Sequence, residues 1–220
     1  MLGKRRMALA VALSFSCYLR PIEAMSLVGQ SIVLAVPAAG AGYLVMGLVL
    51  HETCLGIPGK TGAFDDTVLV DDVWLWTPLR ALRAASAPLG SLWDFSPEDY
   101  RDAFVSVAMA LGLGPFKPHP YQLRHGGASE DLASKRRTET EVMRRGRWTT
   151  TASLKRYAKE TKLLHVVNQV PKDVYRFGQF VLANFSKVLE FGVGSGANQS
   201  RAPDSLTHRI TPVLVATKTS

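Results

Sequence analysis

Cysteine and acidic residues are scarce in this sequence. The 220 residues include only two cysteines, Cys17 and Cys54, which is too few for a disulfide-rich scaffold or a cysteine-based zinc finger. Eighteen acidic residues stand against 26 lysines and arginines, so the formal net charge is +8. This balance favours a polyanionic partner, either nucleic acid or an anionic membrane face. No repeat of solenoid length is visible, and the 47% hydrophobic fraction can support a packed core.

Charge is wholly absent from residues 31–50. Twenty uncharged residues are long enough to span a membrane, so a membrane protein is one alternative. Pro37 and three glycines interrupt the stretch, however, and separate two short, partly β-branched runs. That pattern favours a β-hairpin with strands over 32–36 and 43–46.

Helical patterns dominate the rest of the chain. Residues 1–19 have the basic start and apolar run of a secretory signal, but no convincing cleavage site follows, and they also fit an amphipathic helix that ends near Tyr18. A third strand is predicted over 64–70. Further helices are predicted over 74–87, 97–111, 121–135, 139–145, 151–164 and 173–191. The predicted fold class is therefore α+β, a mainly helical domain with a small antiparallel sheet.

The chain divides into three parts by composition. Residues 1–167 are predicted to form one domain. Residues 168–191 are predicted to contain a helix whose apolar stripe packs either on this domain or on a neighbouring protomer. Residues 192–220, rich in glycine, serine, threonine and alanine, are predicted to be a disordered tail.

Two chemical motifs are incomplete. Gly59-Lys60-Thr61 resembles the end of a nucleotide-binding phosphate loop, but Cys54 occupies the position of the required first glycine, and a strand rather than a helix is predicted to follow. His51 and Cys54 have a spacing that metal ligands can adopt, but no second pair accompanies them. The sequence therefore predicts neither a nucleotide hydrolase nor a metal site.

The positive charge is concentrated in residues 117–162. This segment holds twelve lysines and arginines against five acidic residues, an excess of seven out of the net +8 of the whole chain. Tyr121, Trp148 and Tyr157 are interleaved with the arginines, a composition that suits phosphate contact.

Five short features occur in a characteristic order. They are Cys17-Tyr-Leu-Arg20-Pro-Ile-Glu23, then Lys60, Tyr121-Gln-Leu-Arg124-His125, Gly146-Arg-Trp148 and, nine residues after that tryptophan, Tyr157. Together they resemble the catalytic domain of the tyrosine recombinases, the phage integrase family. The Gly-Arg-Trp form is most similar to members from eukaryotic retroelements and related mobile DNA, and the resemblance covers about residues 8–165.

The resemblance implies a tyrosine-recombinase fold and a catalytic role for several residues. Tyr157 would attack a DNA phosphodiester to form a 3′-phosphotyrosine, while Arg20 and Arg124 would hold the two non-bridging oxygens. Lys60 would protonate the leaving 5′-oxygen. Trp148 would donate its indole N–H to the phosphate or pack the site.

Other residues would support this chemistry. Glu23 would orient an arginine, and His125 would be structural. Tyr121 departs from the family pattern, because it stands at the usual histidine position and a phenol is a poor base at neutral pH. The remaining basic residues expected to contact DNA are Lys135, Arg136, Arg137, Arg144, Arg145, Arg147, Lys155 and Arg156. The implied reaction uses no metal, cofactor or ATP.

The resemblance implies DNA strand breakage and rejoining on duplex DNA, in site-specific recombination or DNA integration, and hence nuclear residence. Arg20 comes too early to leave room for the helical domain that usually precedes the catalytic one. We therefore expect the chain to act as an oligomer on DNA, or with a partner that carries this core-binding domain. One alternative is a catalytically inactive DNA-binding remnant of a mobile element.

Overall fold

The chain begins with two helices that precede the sheet. The computed structural model describes residues 2–34, 46–50, 67–154, 165 and 168–185. Helix α1 (Leu2–Ser16) buries apolar side chains along its length, and α2 (Pro21–Met25) follows after a tight turn. Pro21 is well placed at the start of α2, since its fixed φ suits the first helical turn and its missing N–H is not needed there.

Three short strands form an antiparallel sheet in the order β1-β2-β3. They are β1 (Ile32–Leu34), β2 (Met46–Val49) and β3 (Thr67–Leu69). Ile32 pairs with Leu48 and Leu48 with Val68, and this row of side chains is buried. The predicted hairpin is confirmed at its two described ends, although its second strand runs past Met46. Among the described residues, no helix is long and apolar enough to cross a membrane.

Helices make up most of the remaining chain. A 3-10 turn leads into α3 (Trp76–Ala84), and α4 (Pro97–Ala110) follows. Ser96 caps α4 by accepting a hydrogen bond from the Asp99 N–H, and the Asp99 carboxylate accepts one from the Ser96 N–H, so the predicted start of this helix is confirmed. The apolar spacing of the helix predicted over 74–87 continues to Leu89 and places this residue on its apolar side, and that placement is wrong. The helix ends at Ala84, and Leu89 is 68% exposed.

The described part of the basic segment, residues 117–154, contains three α-helices, α5 (Tyr121–Ala133), α6 (Glu139–Gly146) and α7 (Thr151–Leu154). Thr138 and Glu141 form a reciprocal capping box at the start of α6. Only the first four residues of the predicted helix over 151–164 lie in the described part of the chain. The described protein is therefore mainly helical with a small antiparallel sheet, an α+β fold.

Helices α1 and α5 approach each other closely at Gly127. A Cβ atom at this position would lie 2.0 Å from the carbonyl oxygen of Phe15 and 3.0 Å from the ring of Tyr18. Only glycine therefore permits this contact. The close approach brings the C-terminal end of α1 beside α5, where a second small core of Tyr18, Ala128 and Val142 forms apart from the main one.

Helix α8 (Lys172–Ala183) carries the predicted apolar stripe. Val174 on this helix is buried, and Phe185 just beyond it packs edge-on against Trp74 with ring centroids 4.7 Å apart. Phe185 thereby contacts the main core of the same chain. The predicted tail over 192–220 lies outside the described residues.

Candidate functional site

Four residues form a charged cluster that we call the arginine site: Arg20, Glu23, Arg124 and Arg147. Arg20 and Glu23 come from the start of α2, Arg124 from α5 and Arg147 from the end of α6. The cluster therefore joins three of the sequence features that suggested a functional site. It holds three guanidinium groups against one carboxylate.

Glu23 lies at the centre of the arginine site. Its Oε1 accepts a hydrogen bond from Arg20 Nη1 at 2.6 Å, and its Oε2 accepts one from the Arg20 backbone N–H at 2.6 Å. Arg147 Nη2 donates to the same Oε2 at 2.5 Å, and Arg124 Nη1 lies 3.8 Å from it. Glu23 thus orients arginines, as the sequence indicates, although it contacts three of them rather than one.

Arg124 is the most deeply buried member, with 1% of its side chain exposed. Its Nη1 donates to the Tyr18 carbonyl at 2.5 Å, and its Nη2 donates to the Gly146 carbonyl. Both carbonyls lie at helix C-terminal ends, where backbone dipoles favour a cation. The guanidinium also lies 4.9 Å from the centroid of the Trp148 ring, over its face. These contacts occupy both terminal nitrogens of Arg124, which the sequence assigned to phosphate oxygens.

The pKa of Arg124 is lowered by burial and by neighbouring positive charge. Burial is the main cause, the charge of Arg147 adds to it by more than the charge of Glu23 restores, and together these effects lower the pKa to about 10. The side chain remains protonated at neutral pH. Arg20, in contrast, has 40% of its side chain exposed and is the guanidinium of this site that solvent reaches most freely.

Trp148 packs the site from one side. Its ring stacks on that of Tyr18 with centroids 6.3 Å apart and an interplanar angle of 19°. A Cβ on Gly146 would lie 2.3 Å from the Trp148 ring, so glycine is required two residues before the tryptophan. The Gly-Arg-Trp sequence therefore has a packing reason, and of the two roles considered for Trp148 the packing contact is the one observed.

Tyr121 and His125 lie one turn apart on α5. Tyr121 is 39% exposed, and its ring meets that of His125 edge-on at a centroid distance of 4.8 Å. Tyr121 precedes Arg124 by three residues, so both side chains leave the same face of α5. Lys60, Tyr157, Lys155 and Arg156 lie outside the described residues.

A second cluster, which we call the balanced network, contains equal numbers of both charges: Asp71, Asp72, Asp131, Arg136, Arg137 and Arg145. Arg137 pairs with both Asp71 and Asp131, Arg145 Nη2 lies 2.9 Å from Asp71, and Arg136 Nη2 lies 2.6 Å from Asp72. Arg145 also donates twice to the Ser16 carbonyl. Three arginines expected to contact DNA thus form ion pairs within the chain.

The balanced network shifts the pKa values of the groups at its centre. Burial would lower the pKa of Arg137, but its hydrogen bond to Asp71 and the charges of Asp71 and Asp131 outweigh that effect and raise it. Burial, together with the hydrogen bond to Asp131, raises the pKa of Tyr18 well above its ordinary value. Tyr18 links the two clusters, because its hydroxyl donates to Asp131 while its carbonyl accepts from Arg124.

Lys135 and Arg144 are exposed, as is Arg136, but unlike Arg136 neither belongs to the balanced network. Within the described residues they are the predicted DNA contacts that lie outside both clusters. Within the described residues, no group of three or more histidine, cysteine, aspartate or glutamate side chains is arranged to hold a metal ion.

Sequence reasoning missed the acidic half of the balanced network and the pairing of Arg147 with Glu23. Asp71 and Asp72 directly follow a predicted strand, and such a pair beside an arginine-rich segment was the available signal. No family model, curated protein or solved structure matches the chain.

Proposed function

We propose that this protein breaks and rejoins DNA strands through a 3′-phosphotyrosine, with duplex DNA as its substrate and a tyrosine-recombinase fold. The supporting observation is that Arg20 and Arg124, far apart in sequence, lie beside the same carboxylate of Glu23. Trp148 packs against Arg124 in the same place. Nuclear residence and assembly with a second DNA-bound chain belong to the same proposal.

The charge of the arginine site suits a phosphodiester. Three cations and one carboxylate leave an excess of two positive charges. A phosphodiester carries one negative charge, and additional charge develops on its oxygens as a nucleophile attacks. Arg20, the more exposed guanidinium, would contact a non-bridging oxygen, while buried Arg124 would supply positive potential from beneath.

The proposed reaction conserves the phosphoryl bond. The Tyr157 hydroxyl gives its proton to water as its oxygen forms a bond to phosphorus, the bond from phosphorus to the 5′-oxygen breaks, and Lys60 gives a proton to that oxygen. Rejoining reverses these steps, with the 5′-hydroxyl attacking the phosphotyrosine. No ATP is consumed, because the phosphotyrosine keeps the energy of the broken bond.

A covalent-trapping assay tests this proposal. The full-length protein is incubated with a pool of nicked duplexes whose cleavage releases a short fragment, so that rejoining is prevented. Denaturing electrophoresis then detects DNA attached to protein. We expect an adduct with the wild type and none with Tyr157→Phe. Tyr175→Phe is the matched control, because Tyr175 is a tyrosine on α8 that is 42% exposed.

One observation favours a second candidate, a catalytically inactive DNA-binding protein. Both terminal nitrogens of Arg124 contact carbonyls, and Tyr121 stands at the position where the family usually has histidine. This candidate predicts that the wild type retards duplex DNA at low salt and forms no adduct on any substrate of the pool. An adduct that is lost in Tyr157→Phe would contradict it.

A further inference from the structure

Arg147 adopts a backbone conformation that normally belongs to glycine. Its φ of 54° and ψ of 43° lie in the left-handed region, and it directly follows the last residue of α6. The Arg147 N–H donates to the Arg144 carbonyl and the Trp148 N–H to the Met143 carbonyl, the paired bonds of a Schellman motif. Glycine is the usual residue at this position because any Cβ is crowded there.

The neighbouring packing explains where the strain falls. Glycine is needed at position 146, since a Cβ there would collide with the Trp148 ring. The residue with the left-handed backbone is therefore Arg147 and not Gly146, and it carries a long cationic side chain. A residue that retains an unfavourable conformation is a candidate for a functional role.

The side chain of Arg147 points inward and is 10% exposed. Its Nη2 contacts Glu23 Oε2 at 2.5 Å, and its Nη1 donates to the Arg145 carbonyl at 3.4 Å. The other carboxylate oxygen, Oε1, accepts from Arg20. Glu23 is therefore held from both sides, and its Oε2 is shared by the Arg20 N–H and Arg147, with Arg124 Nη1 3.8 Å away.

We propose that Arg147 is a positioning residue of the arginine site, one that fixes Glu23 so that Arg20 is held ready for an oxyanion. The inference rests on the proposed function, because the oxyanion it assigns to this site is the scissile phosphate. By neutralising Glu23, Arg147 leaves the charges of Arg20 and Arg124 available to the ligand. Without it, Glu23 would partly cancel both.

Glycine at position 147 provides an informative variant. Arg147→Gly removes the charge but suits the left-handed backbone, so this variant should fold. Arg147→Lys keeps a cation, and the single-nitrogen contact to Glu23 is one that an ammonium can reproduce. Arg101→Gln is the matched control, since it removes a positive charge from an exposed position outside the arginine site and outside the expected DNA contacts.

Two readouts separate this inference from the proposed function. The first is the melting temperature of the full chain in low-millimolar sodium sulfate, at ionic strength held constant with chloride. We expect a saturable rise of about 3 °C for the wild type at roughly ten times the dissociation constant of sulfate. Arg147→Lys and Arg101→Gln should keep this rise, and Arg147→Gly should lose it.

The second readout is the rate of adduct formation on nicked duplexes. We expect Arg147→Gly to lower this rate by about tenfold or more. The apparent affinity for duplex DNA in retardation assays should change by less than about twofold, since the exposed DNA contacts remain. If the wild type forms no adduct, the proposed function fails while the sulfate series still decides the role of Arg147. Equal sulfate shifts in wild type and Arg147→Gly, or no shift in the wild type, would overturn the inference.

Discussion

The arginine site and the balanced network draw on the same basic segment but differ in charge balance. The balanced network sets Arg136, Arg137 and Arg145 against three aspartates, so its charges cancel. The arginine site sets three arginines against Glu23 alone and retains an excess of two positive charges. Arginines that are indistinguishable in a composition count therefore form balanced ion pairs in one place and leave excess positive charge in the other, where we propose that an anionic ligand binds.

The two clusters also differ in the elements they join. The balanced network ties the residues after β3 to the end of α5 and to α6, and it stabilises the fold. The arginine site joins α2, α5 and α6, and Arg124 donates to carbonyls at the C-terminal ends of α1 and α6. Tyr18 lies between them, so a change in one cluster is expected to reach the other.

The largest effect is expected from removing Arg124. Arg124→Ala leaves two buried carbonyls without their donor and removes one of the three cations beside Glu23, and we expect it to reduce the free energy of unfolding by about 3–5 kcal/mol. Urea denaturation measures this loss. Arg101→Ala, at an arginine with 60% of its side chain exposed, should change stability by less than about 0.5 kcal/mol. A loss for Arg124→Ala as small as this control's would contradict the packing described.

Widening the contact between α1 and α5 should have the next largest effect. Gly127→Ala places a Cβ against the Phe15 carbonyl, and we expect a loss of about 2–3 kcal/mol together with weaker adduct formation. Gly178→Ala in α8 is the control, because a Cβ there meets nothing within 4 Å. This control should stabilise the protein by about 0.5–1 kcal/mol in thermal or urea denaturation. Equal effects at both glycines would show that the close approach is not needed.

Acid should weaken the balanced network. Although burial raises the pKa of Asp71, Arg145 and Arg137 outweigh this and lower it below the ordinary value. Because its folded-state pKa is depressed, the stabilisation by Asp71 is present above about pH 4 and is lost as pH falls below that value. Asp71→Asn should lower stability at neutral pH by about 1 kcal/mol and flatten its dependence on acid. If urea denaturation gives the same loss of stability below about pH 4 for Asp71→Asn as for the wild type, the stabilising role of Asp71 is contradicted.

The smallest effect is expected in the salt dependence of DNA binding. Arg144→Gln removes an exposed cation and should reduce the slope of log K against log salt by about 1. Arg136→Gln removes an arginine paired with Asp72 and should leave the slope unchanged within about 0.3. Retardation or anisotropy titrations at several salt concentrations measure both slopes. Equal slopes for the two variants would show that arginines of the balanced network are as available to DNA as the exposed Arg144.

Much of the fold follows from local signals in the sequence. The capping residues Ser96 and Thr138 mark two helix starts, and Pro37 and the nearby glycines mark the hairpin. The end of α3 was harder to predict, because the apolar spacing continues to Leu89 after the helical backbone has stopped. Local periodicity shows which residues suit a helix but does not by itself place the last turn.

The candidate site was predictable only in part. Arg20, Glu23, Arg124 and Trp148 were named from their motifs, and the structure brings them together. The burial of Arg124 was not predictable, because it depends on the carbonyls of two helix ends that are distant in sequence. The pairing of arginines with Asp71 and Asp131 likewise depends on tertiary contacts rather than on spacing.

The most direct test of the central claim is to identify the residue that carries DNA in the trapped adduct. Cleavage after glutamate would release residues 142–160, which contain Tyr157 as their only tyrosine, and nuclease trimming would leave a short nucleotide for mass spectrometry. We predict that the nucleotide mass is found on Tyr157. A nucleotide on any other residue, or no adduct across the duplex pool, would contradict the account.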